Sequence, residues 1–297
     1  MNKKILLVGT VSNVAKTIEK ELKIVLKALS IFDSVEVFLV ESDSIDETLN
    51  KLNEIILKNS NIKYVSLGNL RSSIANRIER LRYCRNHYVE YIRVNNSIKN
   101  WDFVIVADLD GMNLKINAKS ISTCFINSPE WDGVMANQKY GYYDLLALRA
   151  DGWIEYDCFE LLSSGKQQVS PYKPRKNRLV DFIFAFLYYD NLRNQFIYSK
   201  MKKIATNQPW IKVKSAFGAL AIYKTDLFIL EDYSHKEANG KSAIDHVDFN
   251  LKCFRNGANF YINPNLINSK WNVYNLNRIK LIRFFKEIKK QFIIKIN

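Results

Sequence analysis

The 297-residue sequence has few of the features that mark several protein classes. Ten glycines and five prolines exclude a collagen-like repeat and leave little material for long disordered linkers. No run approaches the roughly 18 apolar residues of a transmembrane helix. The densest run, 179–189, contains Asp181. The apolar run after Lys4 is too short for a signal peptide and lacks a small-residue cleavage site. These absences predict a soluble globular chain.

Cysteine is also scarce. The chain has four cysteines, far apart and without a C-x-x-C spacing: Cys84, Cys124, Cys158 and Cys253. This pattern predicts neither a cysteine zinc site nor a disulfide framework. We therefore expect reduced thiols and a cytoplasmic location.

Positive charge is abundant and unevenly placed. The chain has 44 Lys and Arg against 30 Asp and Glu, a formal net charge of +14. Residues 171–215 contain ten basic and two acidic residues, and residues 275–297 contain seven and one, so the rest is neutral. Two basic zones on a neutral body predict anionic partners: phosphates, nucleic acid or an anionic membrane surface.

The second basic zone has the pattern of an amphipathic helix. Apolar residues recur at helical spacing with basic residues between them: Ile279, Ile282, Phe285, Ile288 and Phe292. One interpretation is an interfacial helix on a membrane. The other is a C-terminal helix that packs on the body and leaves a basic face in water. We treat 1–274 as one domain and 275–297 as a basic tail.

Short apolar runs alternate with amphipathic stretches over the first ~110 residues. Strands are predicted at 4–8, 35–40, 62–67 and 103–107, a capping box at Ser44–Glu47 opens one helix, and another helix covers roughly 73–94. This alternation predicts a doubly wound parallel sheet with functional groups at the carboxyl ends of its strands. In the second half we expect strands near 133–136, 145–148, 217–223 and 260–262, with helices at 178–204 and 245–255. The predicted class is α/β, a mixed sheet with helices on both faces.

Two carboxylates follow the strand 103–107 directly. Asp108 and Asp110 are separated by one residue and followed by Gly111. Residues i and i+2 of an extended chain point to one side, so the two charges repel unless a cation lies between them. Mn²⁺ and Mg²⁺ prefer such oxygen ligands. The alternative is a polar turn.

The helix near 73–94 carries an arginine within its apolar face. At about 100° per residue from Ile74, Arg85 falls at about 20°, between Ile78 and Leu81. A buried arginine needs an anion, either a protein carboxylate or a ligand phosphate. Either partner places Arg85 near the Asp108 strand end. Three further arginines flank the face and could be solvated: Arg77, Arg80 and Arg82.

Two later segments add chemistry-bearing side chains. His246 lies between Asp245 and Asp248, where it is either a metal ligand beside possible general bases or a structural histidine. Tyr143 and Asp144 suit a sugar ring through stacking and hydrogen bonding, although for this segment alone ordinary strand packing is the better explanation.

In this order, the motifs resemble those of a nucleotide-sugar glycosyltransferase of the GT-A fold, most closely the cryptococcal capsule α-1,3-mannosyltransferase group and its bacterial relatives. The resemblance covers roughly residues 5–268. It is carried by these segments: 7–13 (LVGTVSN), 41–48 (ESDSIDET), 82–86 (RYCRN), 108–110 (DLD), 143–149 (YDLLALR), 216–220 (AFGAL) and 245–247 (DHV). Two positions depart from the family: Asp245 stands where Glu is common, and Ala219 where a second glycine is usual.

The resemblance implies a role for each matching residue. Asp108, Asp110 and His246 would hold Mn²⁺ or Mg²⁺, and Arg85 would contact the donor phosphates or orient an aspartate. The nucleoside would lie on Gly9, Thr10, Val11, Asn13, Glu41 and Asp43, with Asp108 and Arg85 also touching the donor. The candidates for touching the acceptor or donor sugar, one of them a base if the reaction inverts, are Asp144, Asp245 and Asp248.

The predicted function is therefore a metal-dependent transfer of a sugar, a hexose in the family, from a GDP- or UDP-sugar to a saccharide or lipid-linked saccharide in surface polysaccharide or glycan synthesis. We expect a cytoplasmic protein, with peripheral contact to the inner face of an anionic membrane as an option. One alternative is a nucleotidyltransferase acting on a sugar phosphate, although Gly9 stands without a glycine-rich loop. The other is a nucleic-acid-binding protein that uses 171–215, but no nucleic-acid module is recognisable and we expect no such partner.

Overall fold

The computed structural model describes residues 1–168, 179–233 and 244–289. The strands are β1 Lys4–Val11, β2 Ser34–Glu41, β3 Ile62–Ser66, β4 Phe103–Ala107, β5 Gly133–Gln138, β6 Ile211–Val213, β7 Leu220–Lys224 and β8 Phe260–Ser269. The helices are α1 Ile18–Leu29, α2 Thr48–Lys58, α3 Arg77–Lys99, α4 Ala118–Ser122, α5 Cys158–Gln168, α6 Leu179–Phe196, α7 Asp226–Leu230, α8 Asp245–Arg255, α9 Val273–Leu276 and α10 Lys280–Ile288.

All the strands form one mixed sheet in the order β3-β2-β1-β4-β7-β5-β8-β6. The first four are parallel, as predicted for the first ~110 residues. β7 runs antiparallel to both β4 and β5, and β6 antiparallel to β8. The chain moves outward from β1 to β3 and then returns to the other side of β1 as β4. Ligands bind α/β sheets at such a reversal of strand order, beyond the carboxyl ends of the strands.

The alternation of side chains along the strands builds a core on each face of the sheet. Leu6 and Val8 of β1 point to the face that α3 covers, where Tyr88 and Ile92 are buried. Ile5 and Leu7 point to the opposite face, which α1, α2 and α4 cover. The α/β class with helices on both faces is confirmed.

Helix α3 begins later than the sequence predicts. It starts at Arg77 because the side chain of Asn76 accepts hydrogen bonds from the N–H groups of Ile78 and Glu79 as an N-cap. It ends at Lys99, where Asn100 adopts a left-handed conformation with φ of 53°. Ile74, used above to set the helical angles, therefore precedes the helix.

Two predicted elements do not form. The capping box at Ser44–Glu47 is absent because the hydroxyl of Ser44 accepts from the N–H of Asn13, and Asp46 accepts from the N–H of Thr48 at the start of α2. The strand predicted at 145–148 is a turn in which Ala147 N–H donates to Asp144. Just after this turn, Arg149 forms an isolated β-bridge with Ser215.

Other elements differ in extent. The strand predicted from Phe217 begins at Leu220, because Gly218 and Ala219 have φ of 71° and 69°, which an extended chain cannot adopt. β8 continues past Pro264 to Ser269, with register shifts against β5. Helix α5 and strand β6 have no counterpart in the sequence-based assignment.

The C-terminal helix packs on the body. Arg283 of α10 is buried and donates from Nη2 to Asp190 of α6 at 2.9 Å, and its Nε donates to the other carboxylate oxygen. The final residues 290–297 lie outside the described residues, as do the basic residues Lys173, Arg175, Lys176 and Arg178. In the described parts of the chain no helix has the length and apolar character needed to cross a bilayer.

Candidate active site

A cavity of about 510 Å³ opens where strands β1, β2 and β4 end. Thr10 and Val11 contribute from β1, Asp43 from the turn after β2, and Asp108 and Asp110 from the turn after β4. The far wall comprises Arg85, Tyr143, Asp144, Phe217, Asp245, His246 and Tyr274. The cavity thus lies at the reversal of strand order, as predicted from the strand–helix alternation.

Arg85 is buried in this wall and faces three functional groups. Its Nε donates to Asp245 at 2.6 Å, and its Nη1 to the hydroxyl of Tyr88 at 3.4 Å. Its Nη2 lies 3.9 Å from the carboxylate of Asp108. The helical position of Arg85 predicted a buried arginine beside the Asp108 strand end, and this geometry agrees with it.

The prediction that Arg82 could be solvated is wrong. Arg82 is buried, because α3 is covered on more of its circumference than the apolar residues alone indicate. Arg77 is exposed and Arg80 is partly buried, and both line the cavity. Arg80 lies 3.3 Å from Asp43.

Asp108 is a cavity carboxylate with a strongly raised pKa. Burial raises its pKa to about 7, against the lowering effect of Arg85, and the nearby charges of Asp110, Asp144 and Asp245 add to the increase. Like charges in one cavity disfavour full ionisation. The carboxylate of Asp108 is therefore partly protonated near neutral pH.

The turn that carries Asp108 and Asp110 is held by a buried glutamate that the sequence analysis missed. Glu21 of α1 is fully buried and accepts hydrogen bonds from the N–H groups of Gly111 at 2.5 Å and Asn113 at 2.6 Å. The side chain of Asn113 donates to the carbonyl of Asp108 at 2.6 Å. Glu21 was detectable as an acidic residue on the otherwise apolar face of α1.

Asp144 is fixed by the backbone of the segment before β7. The N–H of Gly218 donates to it at 2.9 Å. Burial raises the pKa of Asp144, while this bond and the one from Ala147 oppose the increase. A Cβ at Gly218 would lie 2.7 Å from the carbonyl oxygen of Ala136, so no larger residue fits at this φ.

His246 is a buried histidine whose ring has no hydrogen-bond partner among the described residues. Both ring nitrogens are unsatisfied, and the ring stacks on Phe217 with 3.7 Å between centroids. Burial and the charge of Arg85 lower its pKa to about 3, so it is neutral. The neighbouring Asp245 has a pKa lowered to about 2, because the positive charge of Arg85 outweighs the effect of burial.

A second cavity of about 540 Å³ adjoins the first and shares Asp43 and Arg71 with it. Glu41 lines it, is buried, and accepts from the hydroxyl of Ser66 and from Ser44 N–H at 3.1 Å. Asp43 has φ of 60° and accepts from the N–H of Arg71 at 2.8 Å. The acidic turn after β2 therefore lies between the two cavities and is held there by these hydrogen bonds.

Three of the predicted site residues do not line either cavity. Gly9 lies where β1 and β4 meet, and a Cβ there would lie 2.5 Å from the carbonyl oxygen of Ala107. Asn13 has φ of 55° and accepts from Ile45 N–H, which ties the β1 turn to the β2 turn. Asp248 is one turn along α8 from Asp245 and lies 3.6 Å from Lys252. From these positions, the three residues are better placed to support the site than to contact a ligand.

The structure adds cavity residues that sequence reasoning did not single out. The rings of Tyr143 and Tyr274 stack with 4.7 Å between centroids at the cavity wall. Arg71, Phe159 and Tyr198 also line it. These residues come from segments far apart in the sequence, so no periodic sequence pattern predicts that they meet.

The predicted metal ligands share the cavity without forming a closed set. Across 1–168, 179–233 and 244–289, no three His, Cys, Asp or Glu side chains are close enough together to hold an ion by themselves. Asp108 and Asp110 present carboxylates, and His246 presents a neutral imidazole. This donor set fits an open site in which a ligand's phosphate oxygens complete the coordination, as Mg²⁺ sites commonly require.

Comparisons with known proteins give structural similarities only. No protein-family model matches the chain, and no curated protein matches it. Among solved structures, it is similar to a mannosyltransferase from Pyrobaculum calidifontis in complex with GDP-Man and Mn²⁺, at 13% identity and a TM-score of 0.49, covering 97% of this chain and 65% of that one. It is also similar to residues 1–349 of S. aureus TarS in complex with UDP, at 14% identity and a TM-score of 0.42, covering 97% and 66%.

A third similar structure is glucosyl-3-phosphoglycerate synthase from Mycobacterium tuberculosis in complex with UDP, at 11% identity and a TM-score of 0.38, covering 90% of this chain and 69% of that one. The chain thus spans about two thirds of the length of the solved chains that it matches.

Proposed function

We propose that the protein is a metal-dependent glycosyltransferase that moves a sugar from a nucleoside diphosphate donor to a saccharide hydroxyl. One observation carries the proposal. Asp108, Asp144 and Asp245 meet around the buried Arg85 in a cavity at the switch point of the sheet. The order of motifs that resembles GT-A glycosyltransferases supports the same function.

The donor would extend from the β1 and β2 ends towards Arg85. Thr10, Val11 and the turn Glu41–Asp43 form the side on which the base and ribose would lie. Arg71 and Arg77 bring positive charge to the wall between that side and Asp110. Charged donors of this kind suit phosphate oxygens. The arrangement fits a GDP- or UDP-sugar.

The acidic turn and His246 would hold a divalent cation, Mn²⁺ or Mg²⁺. When bound, such a cation neutralises charge on a leaving diphosphate as a Lewis acid. Asp108 and Asp110 would supply oxygen ligands, and Glu21 would keep their turn in place. His246 would supply one of its unsatisfied nitrogens, since it is already neutral.

The carboxylates of the cavity differ in the chemistry that they can perform. Asp245 is ion-paired with Arg85 and has a low pKa, so it is a weak base that orients the guanidinium. Asp144 has a raised pKa and faces the cavity, which suits a general base if the reaction inverts configuration. Asp248 would act only through its neighbours on α8.

The stacked rings of Tyr143 and Tyr274 would form one side of the acceptor site. Aromatic faces pack on the apolar faces of sugars, and Asp144 next to Tyr143 can accept from a sugar hydroxyl. We therefore propose a saccharide acceptor, free or lipid-linked, in glycan or surface polysaccharide synthesis.

The four cysteines are buried and form no disulfide, which suits the reducing cytoplasm.

Product analysis tests this function against the nucleotidyltransferase alternative. The chain is incubated with GDP- and UDP-hexoses, Mn²⁺ and an oligosaccharide mixture, and in a parallel reaction with nucleoside triphosphates, hexose phosphates and Mn²⁺. The released nucleotide and pyrophosphate are identified by chromatography. A glycosyltransferase releases nucleoside diphosphate, and Asp110→Asn should abolish the release because an amide cannot replace the anionic ligand. Release of pyrophosphate from a nucleoside triphosphate and a sugar phosphate would instead establish the nucleotidyltransferase.

A further inference from the structure

Helix α10 presents part of its apolar surface to solvent. Leu281 and Phe285 are 62% and 60% exposed, and Ile279 just before the helix is 42% exposed. Leu281 and Phe285 are four residues apart and so lie on the same side of the helix, one turn apart. A helix that packs on a protein in water normally turns this side inward.

An ion pair fixes this orientation. Arg283 points to the opposite side of α10 and is buried, with both carboxylate oxygens of Asp190 as partners. It also donates to the carbonyl of Asn277 at 2.6 Å and lies over the ring of Tyr198 at 4.3 Å. Phe284, beside it, packs on Phe186. The helix cannot rotate to bury Leu281 and Phe285 without breaking this buried pair.

Lysines border the apolar strip of Leu281 and Phe285 on both sides. At about 100° per residue, Lys280 and Lys289 fall roughly 100° and 80° from Leu281, on opposite flanks, and both are exposed. Lys286 is exposed as well. An apolar strip between lysines matches a lipid interface, where acyl chains take the apolar residues and anionic headgroups take the charges.

A second copy of the chain fits this surface poorly. A two-fold contact would place the lysines of one copy against the same lysines of the other, and each chain carries a net charge of +14. A membrane with anionic lipids has the opposite charge. The residues that follow in the sequence, 290–297, add Lys290, Lys295 and further apolar residues.

We propose that α10 binds the surface of an anionic membrane, with Leu281 and Phe285 inserted among the lipids and the flanking lysines on the headgroups. Tyr274 and Asn277, just before α10, line the active-site cavity. A saccharide carried on a lipid would therefore reach the cavity from the bound side. The proposal does not depend on the transfer reaction.

Vesicle cosedimentation of the full chain tests the proposal. The variant Leu281→Ser/Phe285→Ser is compared with wild type on vesicles of phosphatidylcholine with and without phosphatidylglycerol. Leu57→Ser/Ile98→Ser is the matched control, because Leu57 and Ile98 are 86% and 82% exposed on other helices. A second variant, Lys280→Glu/Lys289→Glu, tests the charge.

Wild type and control should bind the anionic vesicles alike, and the loss of two inserted side chains should weaken binding about tenfold or more. Each lysine near an anionic surface contributes about fivefold, so the charge variant should also bind much more weakly, and salt should weaken wild type. Three results would overturn the proposal: no binding by wild type, equal binding by all variants, or a concentration-dependent dimer that Leu281→Ser/Phe285→Ser abolishes.

Discussion

At the scale of single residues, the site is a balance of charge around Arg85. One guanidinium faces Asp245 and Asp108, while Asp144 and Asp110 raise the local negative charge. Arg85 interacts more strongly with Asp245, 2.6 Å from its Nε, than with Asp108, 3.9 Å from its Nη2. Asp108 is therefore not fully neutralised by Arg85, and the divalent cation that we propose would supply the missing positive charge.

Removing Arg85 should destabilise the fold. Arg85→Ala leaves Asp245 buried without its partner, which costs about 3–5 kcal/mol of unfolding free energy. Arg71→Ala, at an exposed cavity residue, is the control and should change it by about 0.5 kcal/mol or less. Urea denaturation measures both. Equal midpoints for the two variants would show that the Arg85–Asp245 pair contributes nothing.

Asp108 gives the site a dependence on pH. Because its pKa is about 7, the metal ion that we propose would compete with a proton for Asp108 at neutral pH. Mn²⁺ affinity is measured by calorimetry with a nucleotide present. As the pH is raised towards 7, the affinity should increase about tenfold for each pH unit, and above pH 7 it should stay constant. The variant Asp108→Asn should lose this slope. A wild-type affinity that is constant from pH 5.5 to 8 would contradict the assigned role.

At the scale of elements, the turn after β4 is held from the side by α1. Glu21 accepts both N–H groups that the turn directs inward. Glu21→Gln places an amide NH₂ against one of these donors, so we expect a loss of about 1–3 kcal/mol and weaker Mn²⁺-dependent nucleotide binding. Glu19→Gln, on the more exposed side of α1, should leave nucleotide binding unchanged. Unchanged binding in both variants would remove Glu21 from the site.

A pair of glycine substitutions tests how tightly the turn before β7 holds Asp144. Gly218→Ala puts a Cβ 2.7 Å from the carbonyl of Ala136 at a positive φ, and should cost about 2 kcal/mol or more of stability. Gly152→Ala has a similar φ of 67° but open space around it, so only the backbone strain of about 1 kcal/mol remains. Thermal unfolding compares the two. If Gly218→Ala loses less stability than Gly152→Ala, the turn that binds Asp144 is not tightly packed.

Sequence patterns predicted the elements that depend on local periodicity. The apolar strand Phe103–Ala107 and the helix Asp245–Arg255 have the predicted bounds. The capping box at Ser44 and the strand at 145–148 failed because Asn13 and Asp144 offered these segments other hydrogen bonds. The burial of Arg85 was predictable from one helix, whereas the stacking of Tyr143 on Tyr274 depends on the whole fold.

At the scale of the molecule, one cavity gathers groups from both halves of the chain. The parallel half supplies Thr10, Asp43 and Asp108, and the second half supplies Asp144 and His246. The basic α10 lies close by in the sequence, after Tyr274 of the cavity wall. The donor site, the acceptor site and the membrane-binding helix that we propose would together serve sugar transfer at a membrane surface.

The most direct test is calorimetric titration of the protein with UDP, GDP and CMP, with and without Mn²⁺. Our account predicts that UDP or GDP binds in the presence of Mn²⁺, that CMP does not, and that Asp110→Asn removes the metal-dependent part of the affinity while the fold remains intact. Equal affinity of wild type and Asp110→Asn, or no binding of either diphosphate with Mn²⁺, would contradict the account.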